Sequence, residues 1–391
     1  MAAAASWIDR PDVLAAAAAR WHAASADVAL DTEFVFERTY RPRLGIIQVA
    51  VAGEIALVDA VRVPDLSPLA PLLVDPARRK LLHSGSGDLP ILRRAGGASM
   101  HGLFDTQVAA AFAGLGASLS YAALVKLLLG VDLAKHETRT DWLRRPLSAD
   151  QLRYAAEDVE YLPAVAADLE ERLRVLGRLE WALEDSATLA LHDSDTPDPV
   201  VAWRRVKGID RLNTTARAVA RGLAAWRERE ADRLDMARPF LLRDETLVAL
   251  AKRDALAPED AKALPGFDPR RHAHLAPRWA AALLDARADA AAGSAPPEDP
   301  PTPAEIRERQ DAIGVRVAAL VTQKATELGL PGELLLSRRQ RERAIETWQR
   351  VGGSLSAVLG GFRGALLGAE LDALTVDGEP GPAATPAAAS P

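Results

Sequence analysis

Asp31 and Glu33 stand one residue apart at the end of the apolar run Val28-Ala29-Leu30, with Phe34-Val35 following. Residues i and i+2 of a strand project to one face, so the two carboxylates share a side, about 7 Å apart along the chain. Two such anions repel each other and cost desolvation energy unless a cation lies between them. A divalent metal ion is the simplest such cation, and its remaining ligands must come from elsewhere. His83-Ser84-Gly85-Ser86-Gly87-Asp88 places a carboxylate just after a buried strand, at a helix start where an N-cap is the simpler account of it alone. Tyr154 and Asp158, at i and i+4, share one helical face, and a half-buried phenol beside a solvated acid is the simpler account of that pair alone. Each signal is weak by itself. Their joint occurrence, in this order, is not. Carboxylates suit hard divalent cations, and two such ions about 3.5–4 Å apart can activate water and stabilise charge on a phosphate.

Several elements must position these groups. Strands are predicted at 28–36, 45–51 and 54–60, close enough to pair as a meander, with a further buried strand at 80–83. A helix over 11–24 is expected, capped by Asp9 with Pro11 in its first turn. Further helices fit 67–73, 88–95, 106–113 and 120–129. A long one over 148–176 opens on Ser148 and Gln151 as a capping box, and Pro163 should kink or divide it. These elements describe an α/β domain with a mixed sheet. From about Trp203 the signals are helical only: 216–234, 244–251, 258–264 and 270–286, then a second unit from 304 to about 374. The expected organisation is an α/β domain over 1–190, helical units over 196–287 and 304–376, an Ala/Pro-rich linker at 288–303 and a disordered tail at 377–391.

The length of 391 residues fits two or three domains. The absence of cysteine excludes disulfides, thiolate zinc sites and cysteine nucleophiles. Met1-Ala2-Ala3-Ala4-Ala5-Ser6 lacks the basic start of a signal peptide, and no apolar stretch reaches the ~20 residues of a membrane span, so a soluble cytoplasmic protein is expected. The net charge of −6 argues against bulk nucleic-acid affinity, yet residues 201–280 hold 17 Lys and Arg against 11 Asp and Glu. A local excess of that kind favours phosphate contacts.

Asp31-Thr32-Glu33-Phe34-Val35, Thr39-Tyr40, Leu44-Gly45, Ile47-Gln48, Asp88-Leu89, Asp105-Thr106-Gln107, Asp141-Trp142, Pro146-Leu147 and Tyr154-Ala155-Ala156 with Asp158 together resemble the ribonuclease D family. That family lies within the DEDD 3′–5′ exonucleases, in the subclass marked by the tyrosine. The resemblance implies an RNase H-like exonuclease domain followed by two helical HRDC-type domains. It implies a metal-dependent 3′–5′ exoribonuclease that releases 5′-mononucleotides in the maturation of tRNA precursors and other small structured RNAs. Two divalent ions, Mg²⁺ or Mn²⁺, are implied: Asp31 would bridge both, Glu33 and Asp158 would hold the one that activates water, and Asp88 would support the other. Tyr154 would orient the attacking water. Leu44 and Gln48 are implied contacts of the terminal base or ribose, although core packing accounts equally for Leu44. Gln107 could bind a terminal nucleotide or serve its own helix terminus. Arg204, Arg205, Lys207 and Arg211 would meet RNA phosphates, and Arg338 to Arg343 form a second basic turn or merely a solvated face. His83 is expected to be packed rather than ligating, and Trp203 and Trp226 to be core. The implied partner is RNA with an accessible 3′ end, bound by a monomer. Removing the helical half should weaken RNA binding and leave hydrolysis possible.

Overall fold

The computed structural model describes residues 5–97, 99–133, 140–191, 198–298 and 303–375. Its sheet is built from β1 (Ser6–Ile8), β2 (Val28–Val35), β3 (Arg43–Val51), β4 (Glu54–Asp59), β5 (Lys80–Leu82) and β6 (Leu103–Asp105), in the order β1-β4-β3-β2-β5-β6. The expected meander forms, with β3 antiparallel to both β2 and β4. The outer pairs, β1 with β4, β2 with β5 and β5 with β6, are parallel. β2 therefore has neighbours on both sides, and Val28, Ala29 and Leu30 lose almost all contact with water. A continuous apolar run suits such a strand, covered on both faces. Neither β1 nor β6 was anticipated, because three residues are too few to show a period.

Around the sheet lie α1 (Pro11–Ala23), α2 (Ala70–Val74), α3 (Asp88–Gly96), α4 (Thr106–Phe112), α5 (Tyr121–Leu129), α6 (Ala149–Glu160), α7 (Leu162–Val175) and α8 (Leu179–Leu191). Asp9 does not cap α1. Arg10 occupies the N-cap without a side-chain bond, Pro11 fixes the first turn, and Asp9 pairs with Arg62 at 3.2 Å. The capping box of α6 is present, with Ser148 and Gln151 bonding each other's backbone. The long helix expected over 148–176 divides at Tyr161, where Pro163 follows in the first turn of α7 and supplies no amide proton to the helix before it.

The first helical unit packs α9 (Thr214–Arg233) against α10 (Arg238–Leu241), α11 (Asp244–Ala251) and α13 (Ala276–Ala291), with α12 (Pro269–His272) against α10. Its own core centres on Trp279, Leu223 and Leu247. The helix expected over 270–286 is two pieces. Its second piece runs to Ala291, into the stretch anticipated as linker, because alanine is the best helix former and nothing before Gly293 stops it. The second unit comprises α14 (Ala304–Leu328), α15 (Gly332–Leu335), α16 (Arg338–Val351), α17 (Leu355–Leu359) and α18 (Gly361–Ala373). It has no separate core. Phe362 stacks on Trp181 at 5.1 Å and meets Phe112 edge-on at 5.5 Å, while Arg363 forks onto Asp185 at 2.5 and 2.9 Å. The chain thus leaves the α/β domain and returns to it. The tail anticipated as disordered over 377–391 lies outside the described residues. Among the described residues no helix is long and apolar enough to cross a membrane.

Candidate active site

Carboxylate oxygens of Asp31, Glu33 and Asp158 lie within 4.8 Å of one another. Strand alternation puts the first two on one face, and α6, packed across β2, β3 and β4, delivers the third. Ala155 and Val159 are fully buried beneath α6, which fixes its rotation so that Tyr154 and Asp158 face β2. A register shift between Glu33 and Phe34 interrupts the pairing just past the acids, and it resumes with Phe34 opposite Leu44. Bulges of this kind re-aim side chains at the rims of sites.

Asp88 is the first residue of α3 rather than its cap, which is Gly87. Its carboxylate accepts a hydrogen bond from Thr32, the residue between the two strand acids. Asp88 stands outside the close trio, yet it is the strongest charged influence on Asp31. Burial first, then Asp88, Asp158 and Glu33, hold the Asp31 carboxyl well above the usual range. Burial and the neighbouring acids Asp158 and Asp88 push Glu33 up to about 8. Asp158 rises to about 7, chiefly through burial, although the Tyr154 hydroxyl beside it pulls the other way. Burial lifts Asp88 to about 6 against the bonds from Thr32. Tyr154 is itself shifted upward by burial and by Asp158, so its phenol stays protonated at neutral pH. Buried anions raising one another in this way describe a site built for cations. Asp158 Oδ2 is buried without a hydrogen-bond partner, a free oxygen of the type hard cations prefer.

Neighbouring positions sort differently. Gln48 pairs with Asp31 across β3 and β2, is fully buried, and donates from Nε2 to Asp31 Oδ2 at 3.4 Å. It has no surface to offer a nucleotide, so the expected contact with base or ribose is corrected to a brace on Asp31. Leu44 is half-buried against the core on the α1 side of the sheet. Gln107 donates to the Leu119 carbonyl at 3.1 Å, and the cap of its helix is Asp105. His83 is packed as expected, between Thr106 Oγ1 at 2.9 Å and the Leu119 carbonyl at 3.0 Å.

Asp105 and Trp142 entered only as parts of the family pattern, and Tyr121 gave no signal at all, yet each supports the site. Asp105, fully buried, gathers the amides of Ser84, Gly85, Gln107 and Val108 and so shapes the loop before Asp88. The Tyr121 hydroxyl donates to the Glu157 carbonyl and accepts from the Tyr161 amide, both at 3.2 Å, and clamps the end of α6 beside Asp158. Trp142, 2% exposed, lies 6.2 Å from the Tyr154 ring.

Comparison with known proteins agrees with this geometry. The model of the 3'-5' exonuclease family matches residues 5–174, and that of the HRDC domain matches 216–283. A ribonuclease D of Xanthomonas oryzae is 38% identical over 93% of this chain and 97% of its own. One of Cronobacter turicensis is 36% identical over 89% of this chain and 94% of its own. The crystal structure of Escherichia coli RNase D, an exoribonuclease involved in structured RNA processing, superposes with a TM-score of 0.82 at 32% identity, covering 96% of this chain and 99% of that one. The chain belongs to the ribonuclease D family. It is a 3′–5′ exoribonuclease, with an α/β exonuclease domain followed by helical HRDC-type structure, and it binds RNA as substrate.

In this chain the basic residues Arg204, Arg205, Lys207 and Arg211, expected to meet RNA, are all exposed. Arg205 and Lys207 border a cleft against the exonuclease domain, whereas the Arg204 guanidinium lies 5.5 Å over the Trp203 ring. Trp203 is core, as anticipated, and Trp226 is half-buried against the same core. The basic run from Arg338 to Arg343 forms the first turns of α16, where Arg338 pairs with Glu342 at 2.7 Å.

Proposed function

We propose that Asp31, Glu33, Asp88 and Asp158 hold two divalent metal ions, Mg²⁺ or Mn²⁺, and that the site removes 5′-mononucleotides stepwise from the 3′ ends of tRNA precursors and other small structured RNAs. One observation carries the reading. Three carboxylate oxygens converge within 4.8 Å, and the charges that act on them are further carboxylates. When bound, such ions supply a water ionised near neutral pH and positive charge for the phosphate oxygens.

The side chains divide the remaining work. Asp31, on which Asp88, Asp158 and Glu33 all act, would serve both ions. Gln48 fixes its rotamer from β3, and Thr32 fixes that of Asp88. Tyr154 keeps its proton, so its hydroxyl orients the attacking water and does not act as a base. The exonuclease domain hydrolyses, and the helical units of 196–287 and 304–376 hold the RNA. The same reading has the enzyme acting as a monomer in the cytoplasm, which light scattering and cell fractionation would check.

The deciding experiment follows 5′-labelled RNA digested by the full chain with Mg²⁺, Mn²⁺ or EDTA. A ladder shortening one nucleotide at a time, with 5′-mononucleotide products and no turnover in EDTA, is expected. Internal cuts would sink the proposal, and equal digestion of matched DNA would remove RNA preference. Metal-dependent turnover would also dispose of the alternative, an RNA-binding scaffold on an inactive nuclease fold.

A further inference from the structure

The turn between β2 and β3 stands against the first helical unit, and a cleft of about 710 Å³ opens between them. Its floor is fixed. Tyr40 donates its hydroxyl to Glu228, Arg238 donates to the same carboxylate at 2.6 Å, and the Arg238 guanidinium stacks 4.7 Å over the Tyr40 ring. The Ala237 amide also donates to the Arg38 carbonyl at 3.0 Å, and the Arg41 amide to Asp235 at 3.1 Å. This cleft is therefore preformed, which lowers the ordering cost of whatever binds there.

Its walls are mixed in character. Phe36 is 60% exposed, an unusual position for a ring of that size. Its ring lies 5.9 Å from that of Phe34, and Phe34 lies at Gly87, next to Asp88, where a Cβ would come within 3.8 Å of it. An aromatic pair thus leads from the carboxylates to the cleft, with Phe36 about 10 Å along the chain from Glu33. Across the cleft Arg205 and Lys207 have no side-chain partner among the described residues. Of the acids nearby, Asp244 is engaged by Arg227 at 2.8 Å and Glu245 by Arg243 at 3.7 Å, which leaves Glu37.

We propose that this cleft seats the single strand of RNA just upstream of the end being cleaved, with Phe36 as the platform on which one base stacks and Arg205 and Lys207 on its phosphates. A ring paired with unspent cations is how proteins hold single strands without reading sequence. The proposal deepens the exoribonuclease reading and rests on it.

The test uses the full chain silenced by Asp158→Asn, with hairpin RNAs carrying 3′ tails of differing length and 2-aminopurine placed at each tail position in turn. Emission should be quenched at one upstream position, the quenching should vanish in Phe36→Ala, and Phe36→Trp should restore it. Affinity for tailed RNA should fall at least about fivefold in Phe36→Ala. Each of Arg205→Gln and Lys207→Gln should lower the log–log salt slope by about 0.7. Phe36, Arg205 and Lys207 are all exposed, and a melting curve for each variant, Asp158→Asn included, confirms its fold. Unchanged quenching and affinity in Phe36→Ala, or unchanged salt slopes, would overturn the proposal. Absence of RNA digestion by the unsilenced parent would instead overturn the nuclease reading.

Discussion

At the scale of residues, the site is governed by anions that raise one another. For Asp31, Glu33, Asp88 and Asp158 the folded protein holds protons more tightly than the unfolded chain does. Their contribution to stability is then fully present below about pH 4 and is lost as pH rises through the folded values, about 6 for Asp88, 7 for Asp158 and 8 for Glu33. In EDTA the melting temperature should fall between pH 5 and about 8.5, and Mg²⁺ or Mn²⁺ should recover more of it at the upper end, since metal and protons compete for the same oxygens. Scanning calorimetry across that range checks it; a metal-free melting temperature that stays level would contradict the charge assignment. Tyr154→Phe keeps the ring against Trp142 and removes only the hydroxyl. A hydrogen bond to charged partners is worth about 1.5–3 kcal/mol, so kcat should drop roughly 10- to 100-fold while RNA affinity holds. Near-normal kcat would take the tyrosine out of the mechanism. Asp31→Ala should leave no measurable turnover.

At the scale of elements, the reaction depends on how α6 is seated on the sheet. Arg145 forks onto the fully buried Asp59 at 2.6 and 2.9 Å and donates to the Trp142 and Gly45 carbonyls at 2.7 and 2.9 Å. That pair rivets the segment before α6 to β3 and β4. Gly45 lies so close that a Cβ there would sit 2.5 Å from the Trp142 carbonyl. Breaking one side of a buried ion pair costs about 3–5 kcal/mol, so Asp59→Asn should melt markedly earlier and lose kcat through a displaced Tyr154. Chemical denaturation beside steady-state kinetics would show whether both fall together. The elements that carry the acids were legible locally: the apolar run of β2, the Ser148–Gln151 box of α6 and the Pro163 break. Asp9 as a cap was not, because a cap depends on backbone geometry one residue on, and Arg62 competed for the carboxylate.

At the scale of the whole molecule, the two helical units are not equivalent. The first has its own core and touches the exonuclease domain through the 36–41 turn, where Tyr40 meets Glu228, 188 residues away. The second shares the exonuclease core through Phe362, Trp181 and Phe112. Truncation near residue 190 was expected to spare hydrolysis. The structure alters that expectation, because such a cut strips an apolar face around Phe112 and Trp181. Re-exposing several large side chains is worth on the order of 5 kcal/mol. A 1–298 fragment should therefore melt well below the full chain and aggregate on warming, and a fragment as stable as the parent would show the docking to be dispensable.

The sequence by itself determined the chemistry: which acids stand at which spacing, on a strand or a helix face, and in what order along the chain. Spacing is enough for that because strand and helix periods are local. Only the tertiary structure decided that Asp158 joins Asp31 and Glu33 while Asp88 stands apart, that Gln48 braces a carboxylate and is closed to RNA, and that the second helical unit completes the exonuclease core. Those outcomes depend on contacts between residues far apart in sequence, whose energies come from packing and burial in the assembled fold and from no local pattern.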